Sequence, residues 1–205
     1  MKRFVERTST TTLLILAAGV LFLAGGVVVG VQQWAGHARV EPVDWDLTLV
    51  GREGREVVLS YDEVVTLPSV ENRAGFFSSV GTVYGPYTVR GVPLDALLNL
   101  VGGMTPSDVL FVAAKDGYSC VFDYAQLNGD IATFQPDTLK MVPEGEVRYL
   151  LIFEQDGEPL PEDSGGPLRL AVANPEGLLT EGHWWVKWVK RLEIRTLTSD
   201  SDGGE

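Results

Sequence analysis

The hydrophobic pattern changes character once along the chain. Residues 8–36 carry no charge, and their centre, residues 13–31 (LLILAAGVLFLAGGVVVGV), is apolar or small throughout. As a helix that run is about 28 Å long, the thickness of a bilayer's hydrocarbon core. Lys2, Arg3 and Arg7 precede it and Trp34 comes after it, so the basic flank stays in the cytoplasm and the remainder of the chain faces outward. The pattern fits an uncleaved signal anchor. The alternative is a cleaved signal peptide, whose only small-residue site, Gly36-x-Ala38, lies far beyond the apolar run. Both readings put the rest of the chain on the extracytoplasmic side of the cell membrane, single-pass if the anchor is retained.

Beyond residue 44 the apolar runs are short and separated by turn residues. WDLTLVGREGREVVLS alternates around Gly51 and Gly54, which predicts a hairpin. YDEVVTLP predicts one or two helical turns stopped by Pro68. FFSSVGTVYGPYTVRG is strand-like with glycine interruptions. PLDALLNLV predicts a helix with Pro93 at its first position, ending at Gly102-Gly103. DVLFVAA and DGYSCVF predict a strand and a turn into another, and DYAQLNGD a short helix. VRYLLIFEQDGEPL is a strand entering a turn at Asp156-Gly157. GPLRLAVA and WWVKWVKRLEIRTL predict two more strands. Short strands outnumber helices and no repeat is present, so the fold class is α+β with mixed or antiparallel sheets. The resulting boundaries are a cytoplasmic segment 1–10, a transmembrane anchor 11–33, a linker 34–44, a folded domain 45–197 and a disordered acidic tail 198–205.

Charge and cysteine count narrow the function classes. Lys2, Arg3 and Arg7 against Glu6 leave residues 1–10 at +2, so the formal charge of −12 puts −14 on the rest. A body that acidic repels phosphate backbones, which argues against nucleic-acid partners. One cysteine, Cys120, excludes an intrachain disulfide and a zinc site built on several thiolates. It reads as a small buried hydrophobe.

Asp163-Ser164-Gly165-Gly166-Pro167 is nearly the nucleophile stretch of chymotrypsin-type proteases. A nucleophilic serine needs a base oriented by a carboxylate. The only histidines are His37, just past the apolar run, and His183, which comes after the serine, in the wrong order. The stretch therefore reads as a glycine turn closed by Pro167, and the chain is not a serine protease. His183, beside Trp184-Trp185, reads as a packed or capping residue.

Several segments, in order, carry a family pattern: WDLTLVG with VVLSYDEVVTLP; GPYTVRGVPLDALLNLVG; FVAAKDGYS; LLIFEQDGEPLPEDSGGPLRLAVA; and WWVKWVKRLEI. Together they resemble the molybdopterin-binding oxidoreductase domain of the sulfite oxidase superfamily, whose members include a periplasmic methionine-sulfoxide reductase. GEPLPEDSGGPLRL is the most specific piece. The resemblance implies that superfamily's fold over nearly all of the part beyond the linker, and molybdenum–molybdopterin as the cofactor.

In that superfamily a cysteine thiolate holds the molybdenum, a soft ligand for that metal. Counting back without gaps from Gly91-Val92-Pro93-Leu94, the matching position is Ser79; gaps of one or two residues reach Ser78, Val80 or Gly81. None is a cysteine, and Cys120 lies in another strand. The resemblance further assigns Arg169, Lys187 and Tyr118 to the cofactor cleft. For Arg169 the alternative is an ion pair with Glu162 or Asp163; for Lys187, a solvated edge position. Asp116 and Gly117, beside Lys115, are turn formers. Trp188 stands where the reductase branch has a small serine, so its indole crowds the pocket. Tyr84, Tyr87 and Phe77 read as core or cleft lining.

The expectation is a membrane-anchored domain of the molybdopterin-binding fold serving as a non-catalytic binding or assembly subunit, because Ser79 replaces the ligand cysteine. The alternative is a molybdopterin-dependent oxidoreductase acting on a small oxyanion or sulfoxide. It would draw electrons from a membrane or electron-transfer protein, since the chain has no CxxCH motif and no iron–sulfur cysteines.

Overall fold

The computed structural model describes residues 43–143 and 145–197. In chain order its elements are β1 (Asp46–Val50), β2 (Glu56–Ser60), α1 (Tyr61–Thr66), β3 (Val70–Phe77), β4 (Val83–Pro93), α2 (Leu94–Asn99), β5 (Asp108–Ala114), β6 (Ser119–Asp123), α3 (Tyr124–Leu127), β7 (Thr133–Phe134), β8 (Met141–Val142), β9 (Arg148–Gln155), β10 (Glu158–Pro159), β11 (Arg169–Asn174), β12 (Leu179–Glu181) and β13 (Val189–Thr196). The described body is mostly β with brief helices, which agrees with the α+β expectation in its coarse form. The anchor 11–33, the first ten residues, most of the linker and the tail 198–205 lie outside the described residues. Among the described residues no helix is long and apolar enough to cross a membrane.

Two sheets form the body. One runs β2-β1-β13-β5-β6, with β1 parallel to β13 and the other pairs antiparallel. The other contains β10-β9-β11-β3-β12-β7-β8. Its β4 pairs with β3 over its first part and with β9 over its last. Because β9 also pairs with β11, and β11 with β3, these four strands close a ring of ladders.

The ring explains the sequence of β9. Its run Tyr149-Leu150-Leu151-Ile152-Phe153 is buried on both faces. Tyr149, Leu151 and Phe153 join the main core between the sheets, with Leu47, Phe122 and Leu192. Leu150 and Ile152 point the other way, into a smaller cluster with Ala74, Ala171 and Ala173. The alanines on β3 and β11 suit the narrow interior of a closed four-strand circuit. Gly91 is required where β4 crosses onto β9, because a Cβ there would lie 2.5 Å from the Leu151 carbonyl oxygen.

Two of the helices carry side-chain N-caps. Ser60 and Glu63 form a reciprocal capping box on α1, as Asp123 and Gln126 do on α3. Pro93 is the N-cap of α2, one residue earlier than the first-turn position expected from sequence. Residues 184–188 are not a strand. Trp188 has φ 52°, a left-handed conformation that interrupts extended backbone, and only an isolated bridge joins Val186 to Leu170.

Candidate functional site

A cleft of about 520 Å³ opens where the ends of β3, β9 and β11 meet the β5–β6 turn. That volume lies in the range of small-ligand sites. Its floor is Arg169, the first residue of β11. Arg169 is 6% exposed, with its guanidinium 5.0 Å from the Phe76 ring centroid and 4.8 Å from that of Trp185. Phe76 in turn stacks on Tyr84 at 4.7 Å. The expected alternative, an ion pair with Glu162 or Asp163, does not form. Arg169 Nη1 instead donates to the Ser164 carbonyl at 2.8 Å, and buried Nε has no partner. Burial pushes its pKa down to about 10, so the group stays cationic at neutral pH. Among the described residues no carboxylate pairs with it. Buried charges in proteins are ordinarily paired or otherwise compensated.

The loop 161–166 forms one wall, and it is a turn. Ser164, Gly165 and Gly166 amides bond back to the carbonyls of Pro161, Glu162 and Pro161. Three successive carbonyls then each accept from one cleft side chain. Glu162 accepts from Trp188 Nε1 at 2.9 Å, Asp163 from Lys187 Nζ at 2.7 Å, and Ser164 from Arg169. Gly165, at φ 100°, is needed because a Cβ would meet Lys187 Cγ at 2.6 Å. Ser164 Oγ faces only Asp163 Oδ1, at 3.4 Å. His183 does not line the cleft; its Nδ1 sits 3.7 Å from the Glu181 carboxylate and its ring packs at a tilt of 47° against Trp184, centroids 4.0 Å apart. Among the described residues no base addresses the serine.

The structure brings Arg169, Lys187 and Tyr118 into this one cleft, with Trp188, Tyr84 and Tyr87. Tyr118 is at the rim, 46% exposed, and partial burial raises its phenol pKa. Ser79 stands at the exposed tip of the β3–β4 hairpin, outside the lining; its neighbour Ser78 lines the cleft and accepts from the Thr82 amide through Oγ at 3.1 Å. Phe77 packs edge-on against Phe134 at 5.0 Å, and Phe76 takes the cleft position instead. Sequence reasoning missed Phe76, Trp185 and Gln155. The strand alternation that puts 76 and 78 on one side is the signal that could have found Phe76. Cys120 lies on β6, away from the lining, with Sγ 3.7 Å from the His183 carbonyl, and burial raises its thiol pKa.

The implied cofactor fits these residues in part. Its anionic, planar half matches an unpaired buried guanidinium, a lysine and aromatic walls. Its metal half finds no sulfur in the lining, and no group of three or more His, Cys, Asp or Glu residues suits a metal among the described residues.

A sequence model described as the oxidoreductase molybdopterin binding domain matches residues 34–202. Among solved structures, the crystal structure of the sulfane dehydrogenase SoxCD from Paracoccus pantotrophus superposes with a TM-score of 0.57 at 20% identity. The match covers 82% of this chain and 42% of that one, so this chain spans less than half of that protein's length. Identity that low shows likeness of fold alone. Curated proteins gave no match. The family match extends over far more than half of the 205 residues, and the chain belongs to the oxidoreductase molybdopterin-binding domain family.

Proposed function

We propose that this domain binds an anionic, pterin-type ligand without running the thiolate–molybdenum chemistry of its superfamily, as a tethered extracytoplasmic binding or assembly subunit. The observation that supports this is Arg169, a desolvated guanidinium with no carboxylate partner, on the floor of a cleft whose lining holds no cysteine. Arg169 and Lys187 neutralise the ligand's phosphate. Phe76, Tyr84 and Trp185 form the apolar wall beside it, Tyr118 bounds the mouth, and Trp188 holds the loop 161–166 in place. The tether is the run 13–31 behind its basic flank, and the partner is the membrane or a membrane protein, with no role for nucleic acid.

The second reading, a molybdopterin-dependent oxidoreductase, draws on the Ser78 hydroxyl in the lining. Bound molybdenum would supply two-electron exchange with a small oxyanion or sulfoxide. Ser78, or its neighbour Ser79, would have to ligate as an alkoxide, a harder donor that the metal itself must deprotonate. Electrons would then come from a separate partner protein.

Purification from a cofactor-competent host separates the two. Protein binding the pterin alone yields the fluorescent oxidised pterin on denaturation, with molybdenum far below one per chain. Arg169→Met lowers pterin content by at least about tenfold, the loss of a charge-assisted contact. Its melting temperature holds or rises, because an unpaired buried cation is removed. Near-stoichiometric molybdenum establishes the oxidoreductase and overturns the binding-subunit reading.

A further inference from the structure

The Arg169 cleft is lined by one side-chain amide, that of Gln155, the last residue of β9. Its backbone is fixed from two sides, paired with Val89 on β4 and with Glu158 on β10. The next residue, Asp156, has φ 53° and begins the tight turn into β10. That turn is tied to β4. The Asp156 amide donates to the Thr88 carbonyl at 2.7 Å, and the Thr88 amide donates to Asp156 Oδ1 at 2.9 Å. A side chain at the end of so constrained a strand projects into the cleft from a fixed point.

The carboxamide itself is uncommitted. Gln155 is half-buried, and among the described residues its side chain has no hydrogen-bond partner. A carboxamide holds a donor and an acceptor side by side in one plane. That pattern matches the edge of a cyclic amide or an aminopyrimidine through two parallel bonds. The other polar side chains of the lining are hydroxyls and charged groups, none of which sets a donor beside an acceptor. Position adds a length. Arg169 lies opposite Ile152 in the β11–β9 ladder, so Gln155 is three residues farther along β9, roughly 10 Å away. A fused two-ring body with an acidic group at one end covers such a gap, and the wall of Phe76, Tyr84 and Trp185 suits a flat body.

We propose that Gln155 is the specificity-determining residue of this cleft. The ligand is a flat fused heterocycle with its anionic group at one end, met by Arg169, and a cyclic-amide or aminopyrimidine edge at the other, read by the Gln155 carboxamide. This inference rests on the reading of the cleft as the site of an anionic, pterin-type ligand, and adds which edge is recognised and by which residue.

The test uses the full-length chain and two probes, pterin-6-carboxylate and 2-naphthoate, by titration calorimetry. Both are flat, two-ringed and anionic; only the first has the cyclic-amide edge. The naphthoate is the more apolar, so burial alone favours it. The protein should nevertheless bind pterin-6-carboxylate at least about tenfold more tightly, the worth of two neutral hydrogen bonds. Gln155→Met, of similar length but without donor or acceptor, should weaken pterin-6-carboxylate about tenfold and leave 2-naphthoate within about twofold. Its melting temperature should hold, since the carboxamide bonds to nothing in the protein. Arg169→Met should weaken both probes. Equal affinity of the two probes, or a preference that survives Gln155→Met, overturns the role of Gln155 while leaving the anion-binding cleft standing. Binding of neither probe, or binding of both that ignores Arg169→Met, overturns the cleft reading and this inference with it.

Discussion

The Asp108 carboxylate is fully buried at the start of β5, and its bonds decide how the protein meets acid. It accepts from the Thr105 amide and hydroxyl, both at 2.7 Å, and from the Thr196 hydroxyl at 2.7 Å. Arg52 Nε lies 3.7 Å away. Burial alone would raise its pKa, but these hydrogen bonds, helped by Arg52, hold it below the usual carboxylate value. A carboxylate depressed on folding gives stability that is fully present above its unfolded pKa, near 4. That stability is lost as pH falls through the lower folded value. Asp108→Asn should therefore cost about 2 kcal/mol at neutral pH. The gap to wild type should close below about pH 4, read from urea midpoints across an acid series. A gap that stays constant with pH would show that the amide loses only shape, not charge. Thr105 is a local partner three residues upstream, but Thr196 is not visible in the sequence, because it meets Asp108 across the β13–β5 ladder. Arg169 and Lys187 are visible, since a motif carries them. Ser78 is reached only by allowing a one-residue gap in the count that otherwise ends on Ser79, and Phe76 is not visible, because nothing local separates it from Phe77 until the strand's facing is known.

At the scale of elements, strands are legible where hydrophobicity is continuous or alternation is long. β5, β9, β11 and β13 all emerge from the pattern, and the hairpin at Gly51 and Gly54 does too. The first half of β3 does not, because Glu71 and Arg73 are exposed and only Val70 and Ala74 offer apolar positions. β7, β10 and β12 span two or three residues, too short to leave a period. The predicted strand over 184–188 fails at both ends: Trp184 closes a 3-10 turn, and Trp188 is left-handed, with its indole donating to the Glu162 carbonyl. β9 is the element on which both sheets' packing converges. Leu151→Ala removes a side chain buried in the main core and should cost about 2–5 kcal/mol. Val58→Ala on the edge strand β2, 52% exposed, should change stability by under about 0.5 kcal/mol. Chemical denaturation of the two variants checks the contrast, and comparable losses would mean that β9 is not the shared support the ring implies.

The whole molecule combines an acidic body with a cleft whose buried charge is positive. An acidic exterior repels anions at long range, so the anionic ligand proposed for Arg169 gains no long-range steering toward the cleft. The composition also bears on placement. The body's charge disfavours adsorption to an anionic membrane surface, so the proposed tether rests on the run 13–31 alone. On that proposal the attachment is hydrophobic rather than electrostatic, and such attachment is insensitive to salt. Full-length protein should therefore sediment with membranes and stay there through a high-salt wash. The proposal takes its orientation from the basic flank, so protease added from outside should digest the folded domain while the first ten residues remain protected. Release by salt would identify an electrostatic or partner-mediated attachment instead. A mature chain beginning near Arg39 would replace the anchor with a cleaved leader, leaving the domain outside but free of the membrane.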